Sequence, residues 1–374
     1  MDTGQLELRS AVAWRDGRLE AIDQTLLPER LVVLELRTVA EVVDALRRLA
    51  IRGAPAIGVA AAFAVVLGLD ERRPSSAEQA AAALDEIAAE LEAARPTAVN
   101  LSWAVRRVAA AARGDAARGG EAARAGDAAG ARDAGDPAQV RRRALEEAER
   151  VLEEDRASCR RMAEFGRTEL TGRRRLLTHC NTGRLATAGL GTALGVVYAM
   201  AAAGEPVQVL ASETRPLLQG ARLTAWELLD AGIPVTVLAE GAAGAAMARG
   251  MVEAVLVGCD RVARNGDTAN KIGTYGLSVL ARSHGIPFYV VGPLSSFDPQ
   301  AADGDRIVIE ERSADELRGL AGVRVAPAAA DAWNPAFDVT PAELVSSFIT
   351  DAGVLRPPFA ESIARVLGAS ARPR

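Results

Sequence analysis

The sequence predicts an α/β protein: a small, mostly helical N-terminal domain with a few short strands, then a Rossmann-like C-terminal domain with a parallel sheet. Three observations predict it. After Gly172, short apolar runs recur at 175–179, 207–211, 235–238, 254–257 and 288–291, with helical segments between them. Such alternation marks a parallel sheet wound with helices. Gly204, Gly232, Gly250 and Gly285 close those segments, at the position past a helix end that glycine tolerates best. Before Gly172 the apolar spacing is mainly helical. At 374 residues two domains are expected, with bounds at 1–142 and 143–374, the linking helix belonging to the second.

In order, 11–14, 18–22 and 32–36 read as short strands around turns such as Asp16-Gly17. Thr38 caps a helix, and Glu41 three residues later completes a capping box. Pro55 fits the first turn of the next helix, where its missing N–H costs nothing. That helix, 56–69, is apolar all round and must be buried; its apolar stretch is short for a membrane span. Helices are expected over 76–94 and 101–112, separated by a break at Arg95-Pro96, because the residue before proline avoids helical geometry. Residues 113–137 are almost all Ala, Gly, Arg and Asp, too poor in large apolar side chains to offset ordering, so a mobile insertion is expected. A long helix resumes at 138 and runs to about 165. In the C-terminal domain helices are expected at 185–203, 217–231, 243–250 and 271–284. The 185–204 stretch is uncharged but rich in Ala and Gly, and reads as a buried helix. A later strand is expected at 307–309 and a final helix from Thr340-Pro341 to about 348.

Composition excludes several classes. A net charge of −5 argues against nucleic-acid binding, whose footprint is a basic patch. Cys159, Cys180 and Cys259 are odd in number and unpaired in spacing, as expected of reduced thiols in a cytoplasmic protein. No signal peptide is expected from Met1–Glu7, and no membrane partner. Two histidines and three scattered cysteines show no metal-ligand spacing. The Gly189-Leu190-Gly191 stretch sits about ten residues past the strand, too late for a dinucleotide fingerprint.

In open parallel sheets ligands bind beyond the carboxyl ends of the strands. The residues there are Cys180-Asn181-Thr182, Ser212-Glu213-Thr214-Arg215, Glu240 and Cys259-Asp260-Arg261. Gln219 and the Asn270-Lys271 pair are expected at the starts of following helices, on the same edge. Cys180, between a strand and a helix, suits a nucleophile, an acid or base, or a polar wall. Asp260 suits a general acid or base, or a partner for Arg261. Lys271 is the only lysine among 44 Lys plus Arg, and the two cations differ in shape and hydration. In the N-terminal domain, Arg52-Gly53-Ala54 sits at a helix start, where backbone N–H groups favour an anion.

Five stretches together carry a resemblance. Arg52-Gly53-Ala54-Pro55-Ala56-Ile57-Gly58, Arg95-Pro96-Thr97-Ala98-Val99-Asn100-Leu101, Thr178-His179-Cys180-Asn181, Glu213–Gly220 and 258–275 resemble methylthioribose-1-phosphate isomerases. So does the closing Trp333-Asn334-Pro335-Ala336-Phe337-Asp338-Val339-Thr340-Pro341. The resemblance covers nearly the whole chain, in order. It implies cofactor-free isomerisation of 5-methylthioribose 1-phosphate to 5-methylthioribulose 1-phosphate in methionine salvage, by a homodimer. It implies Asp260 as proton donor and Cys180 as the second catalytic position. Arg52, Gly53, Ala54, Arg95, Gln219, Asn270 and Lys271 match the family's substrate-binding positions. Since the donor must deliver a proton to the ring oxygen, a largely apolar pocket is expected around Asp260. Ser212, Cys259 and the 113–137 insertion depart from the family pattern; the extra thiol at 259 is one that could oxidise. Related alternatives are a ribose-1,5-bisphosphate isomerase, which would need a second phosphate site, and a non-catalytic subunit like those of translation initiation factor 2B. A nicotinamide dehydrogenase fits less well.

Overall fold

The computed structural model describes residues 10–95, 98–114, 136–320 and 322–370. Pro96 and nearly all of the 113–137 insertion lie outside the described residues. By its own packing the chain divides into two units: Arg9–Ala157 with Arg184–Gly189, and Ser158–Gly183 with Leu190–Arg374. The bound expected at 142/143 lies within a helix; the packing division falls at 157/158 and lends the N-terminal unit six residues, Arg184–Gly189, from beyond it.

The N-terminal unit begins with an antiparallel meander, β1 (Val12–Arg15), β2 (Arg18–Ile22) and β3 (Val33–Leu36). Helices α1 (Val39–Arg47), α2 (Ala54–Arg72), α3 (Ala77–Glu92) and α4 (Val99–Arg113) follow. The capping box at Thr38 and Glu41 forms, and Pro55 occupies the first turn of α2. α2 is 19 residues long and, by length and composition, could cross a membrane. Its apolar residues from Ala56 to Leu69 are instead buried against the other helices. Trp14 stacks on Phe63 of α2, with centroids 4.9 Å apart. α5 (Pro137–Glu169) contributes its first part to this unit.

The C-terminal unit is built on a seven-stranded sheet. Its strands are β4 (Arg175–Thr178), β5 (Gln208–Ser212), β6 (Val235–Leu238), β7 (Ala254–Val257), and, after a hairpin of β8 (Arg261–Ala263) and β9 (Thr268–Lys271), β10 (Phe288–Val291). Downstream come β11 (Phe297–Asp298), the short β12 (Gly319–Leu320) and β13 (Val323–Arg324), then β14 (Phe337–Thr340), β15 (Ser347–Thr350) and β16 (Gly353–Leu355). The spatial order of the large sheet is β16-β15-β10-β7-β4-β5-β6, parallel except for β16. Helices α6 (Ala193–Ala202), α7 (Ala225–Asp230), α8 (Ala243–Ala248), α9 (Thr274–Ser283), α10 (Asp315–Arg318) and α11 (Phe359–Ser370) complete it. Alternate strand residues bury opposite faces: Leu176, Leu256, Tyr289 and Val291 on one, Leu177, Val257, Phe288 and Val290 on the other. Burying each contributes about 2 kcal/mol.

Four expectations need correction. Residues 185–192 are not helical; α6 starts at Ala193, because 184–189 runs as turns and bends packed in the N-terminal unit. Asn270 and Lys271 lie in β9, not at the start of a helix, since Phe337–Thr340 pairs with residues 268–271. No strand forms at 307–309, where Val308 is exposed. Thr340-Pro341 starts only a single 3-10 turn, and Ser347–Thr350 joins the sheet beside β10.

Candidate functional site

Strand order locates the crevice. From β4 the chain steps to β5 and β6 on one side and to β7, β10 and β15 on the other. The reversal lies between β4 and β7, which pair directly through Leu176–Ala254 and Leu177–Val255. Loops leave the sheet in opposite senses at such a point and open a crevice for ligand. Cys180 follows β4 by two residues and Asp260 follows β7 by three. Both candidate catalytic side chains therefore come off adjacent strand ends at the reversal.

Cys180 is buried and holds φ +61, a left-handed conformation that costs a non-glycine residue about 1–3 kcal/mol. Two threonines hold it there. The Cys180 N–H donates to Thr214 Oγ1 at 2.9 Å, and Thr214 donates onward to Ser212 O at 3.0 Å. The Cys180 carbonyl accepts from Thr224 Oγ1 at 2.6 Å. Asn181 donates to Thr224 Oγ1 and to the fully buried Glu227 carboxylate. Gly220 is required beside them, because a Cβ there would land on the Ser212 carbonyl oxygen. No helix begins at Cys180, so the expected strand-to-helix setting for the thiol is not found.

His179 is 1 % exposed and shares a 2.8 Å hydrogen bond through Nε2 with Ile272 O. Burial pushes it down to about 4, against the pull of the Ile272 carbonyl and of Glu240. The neutral ring therefore donates from Nε2, which leaves Nδ1 unprotonated. Gly273 lies against this ring, where a Cβ would sit 3.0 Å from His179 Cε1. Gln219 is buried, and its Oε1 has no partner among the described residues. Thr178 Oγ1, Thr182 Oγ1 and His179 Nδ1 share that condition along the β4 edge. Buried polar atoms are normally satisfied, so this edge holds a local excess of polar groups.

Asp260 departs from expectation. Its N–H donates to Ala269 O at 3.0 Å, but its side chain is exposed rather than enclosed in an apolar pocket. The inward position belongs to Cys259, packed against Gly292. Burial, with the Asp260 charge adding to it, pushes the Cys259 thiol up to about 12. A thiol so held is a poor nucleophile.

Asn270 is buried and donates to Thr274 Oγ1 at 2.9 Å. Lys271 Nζ donates to Ala336 O at 2.7 Å and lies 4.3 Å from the centre of the Phe337 ring, a cation–π contact. β14 brings those partners alongside, pairing Phe337 with Lys271 and Asp338 with Asn270. The Asp338 carboxylate accepts from Gly273 N at 2.7 Å and Tyr275 N at 3.1 Å. Burial raises it to about 6, against the pull of those N–H groups and of Lys271.

The remaining candidates lie in the N-terminal unit. Arg52, Gly53 and Ala54 lead into α2, with Gly53 at φ +89. Pro55 has no N–H and the Ala56 N–H goes to Ala186 O at 3.2 Å, so an anion at this helix start would rest on Gly53 and Ala54. Arg95 is half-buried between α3 and α4. Among the described residues no group of three His, Cys, Asp or Glu side chains is placed to hold a metal.

Sequence reasoning missed Thr224, and it named Thr214 and Asp338 without finding their roles. Their contacts join segments far apart in the chain, 65 residues for Asp338 and Gly273. The signal available for Asp338 was its place in the closing Ala336–Pro341 stretch.

The pattern of the Initiation factor 2 subunit family matches residues 50–357. The chain belongs to this family. Among its members, a methylthioribose-1-phosphate isomerase of Desulforudis audaxviator is 50% identical, over 97% of this chain and 99% of its own. A 5-deoxyribose 1-phosphate isomerase of Moorella thermoacetica is 48% identical, over 96% of this chain and 98% of its own. The crystal structure of 5-methylthioribose 1-phosphate isomerase from Pyrococcus horikoshii superimposes with a TM-score of 0.88 at 38% identity, covering 99% of this chain and 100% of that one. A structure described as translation initiation factor eIF-2B subunit delta, from A. fulgidus, gives 0.83 at 42% identity, covering 96% and 99%.

Proposed function

We propose that the chain isomerises 5-methylthioribose 1-phosphate to 5-methylthioribulose 1-phosphate in methionine salvage, without a cofactor. The observation that carries the proposal is the placement of Cys180 and Asp260 on adjacent strand ends at the sheet's reversal, in a chain half identical to an isomerase of that name. The anomeric oxygen of this substrate carries phosphate, so the ring cannot open to a free aldehyde unaided. Opening needs a proton on the ring oxygen, and Asp260 is the proposed donor. A sugar docked over an exposed carboxyl displaces water, and desolvation favours the neutral form able to donate. Hydrogen then moves from C2 to C1. Cys180, rigidly held in its left-handed turn, acts as the base if it moves as a proton and as a stabiliser if it moves as a hydride. Deuterium at C2 separates the routes: loss to solvent marks the first, retention the second.

Arg52, Gly53, Ala54, Arg95, Gln219, Asn270 and Lys271 are the proposed substrate-binding residues. A cytoplasmic homodimer is proposed on the same family resemblance. The Moorella relative's name supports a related substrate differing only at C5, and the A. fulgidus structure's name supports a second reading, a regulatory subunit. Retention of Cys180, Asp260 and Lys271 together favours catalysis. The test is turnover of methylthioribose 1-phosphate, 5-deoxyribose 1-phosphate and ribose 1,5-bisphosphate by wild type and Cys180→Ser. Highest kcat/KM on the first, lost in the variant, is expected; no turnover of any of them supports the regulatory reading.

A further inference from the structure

Three groups of the proposed site meet around one turn, 270–273. Lys271 points its ammonium at Ala336 O and the Phe337 face. Ile272 O takes the His179 hydrogen bond, and His179 immediately precedes Cys180. Gly273, at φ +103, lies against the His179 ring, where no Cβ would fit comfortably. The turn ends in the entry to α9, whose first N–H groups need acceptors. Asp338 supplies them: its two carboxylate oxygens take the N–H groups of Gly273 and Tyr275 separately. The same residue sits opposite Asn270 in the β9–β14 ladder. One carboxylate thus fixes the far end of the turn while its own strand fixes the near end.

We propose that Asp338 is a positioning residue for the isomerase site: through the Gly273 and Tyr275 N–H groups it locks the 270–273 turn, and so sets Asn270 and Lys271 for the substrate and the Ile272 carbonyl for His179. This rests on the reading of the site given above. Asp338 itself need not touch substrate. Removing the carboxylate takes the acceptors from the half-buried Gly273 N–H and from the N–H of the exposed Tyr275, and the turn relaxes. Ground-state binding through Asn270 and Lys271 suffers first, so KM moves more than kcat.

The test compares wild type, Asp338→Ala and Asp338→Asn by hydrogen exchange and by kinetics on methylthioribose 1-phosphate. In the alanine variant, faster exchange confined to the 270–277 segment is expected, with KM raised about tenfold and kcat changed less than threefold. Asp338→Asn keeps one acceptor oxygen, so its KM is expected to fall between those of wild type and Asp338→Ala. Unchanged exchange at 270–277 in both variants overturns the proposal, whatever the substrate proves to be. So does faster exchange with KM within twofold of wild type, which would make Asp338 merely structural. If the alanine variant does not fold, Asp338→Asn carries both criteria. Absence of turnover in wild type refutes the assigned activity, while the exchange result still decides the role of Asp338 in holding the turn.

Discussion

Gly53→Ala adds one methyl group at the start of α2 and tests how the N-terminal unit holds Gly53, a proposed substrate-binding residue. Gly53 has φ +89 and ψ 127, where an L residue costs about 1–3 kcal/mol. The new Cβ would also lie 2.5 Å from Ala186 Cα, whereas carbons normally approach to about 3.5–4 Å. The 184–189 segment cannot retreat cheaply. Ala186 O is held by Ala56 N, Leu185 O by Gln24 Nε2 at 2.7 Å, Ala188 N by Asp155 at 2.7 Å and Ala188 O by Ser10 Oγ at 3.1 Å. Strain and collision together amount to a loss of about 3 kcal/mol. Urea unfolding followed by tryptophan fluorescence, with Trp14 packed on α2 as reporter, measures it, alongside KM. The account predicts an earlier midpoint and a raised KM. A variant within about 0.5 kcal/mol of wild type and with the same KM would refute the claim that this segment fixes Gly53.

Further predictions concern the charged and thiol groups. Lys271→Arg should raise KM about tenfold with less effect on kcat, because a planar fork cannot occupy the point position between Ala336 O and the Phe337 ring; unchanged affinity would show that the lone lysine carries no binding role. Asp155 is raised by burial to about 6 from 3.8. Its folded value lies above its unfolded one, so its stabilising contribution is complete below about pH 3.8 and is lost as pH rises through 6, a span of about 3 kcal/mol. Asp155→Asn should therefore flatten the pH dependence of the urea midpoint between about pH 4 and 6, and an unaltered slope would disprove the assignment. Cys259→Ala should keep kcat/KM within about twofold, and Cys259 should resist thiol reagents at pH 8 in the folded protein.

The fold class and the sheet were legible because apolar alternation and closing glycines are local signals. The capping box at Thr38 and the place of Pro55 were read for the same reason. Errors arose where distant segments decide. Asn270 and Lys271 look like a helix start until Phe337–Thr340 lies beside them. The 185–192 stretch has helical composition, yet it is recruited by Gln24, Ala56 and Asp155 of the other unit. Ser347–Thr350 became a strand because β10 offered it an open edge. At the site, strand-end logic found Cys180 and Asp260. It could not foresee that Cys259 turns inward and Asp260 outward, since that depends on where the alternation of β7 ends. The roles of the threonines that hold Cys180 were not legible because each acts through a single hydroxyl, 34 and 44 residues away.

The central claim is that Asp260, at the reversal of the sheet, delivers the proton that opens a 1-phosphorylated ribose ring. Its most direct test follows 5-methylthioribose 1-phosphate by NMR with wild type and Asp260→Asn, with no added cofactor. The account predicts conversion to the ketose by wild type and a kcat lower by at least about a hundredfold in the variant, in the range expected for loss of a general acid. Turnover of Asp260→Asn near the wild-type rate would contradict it.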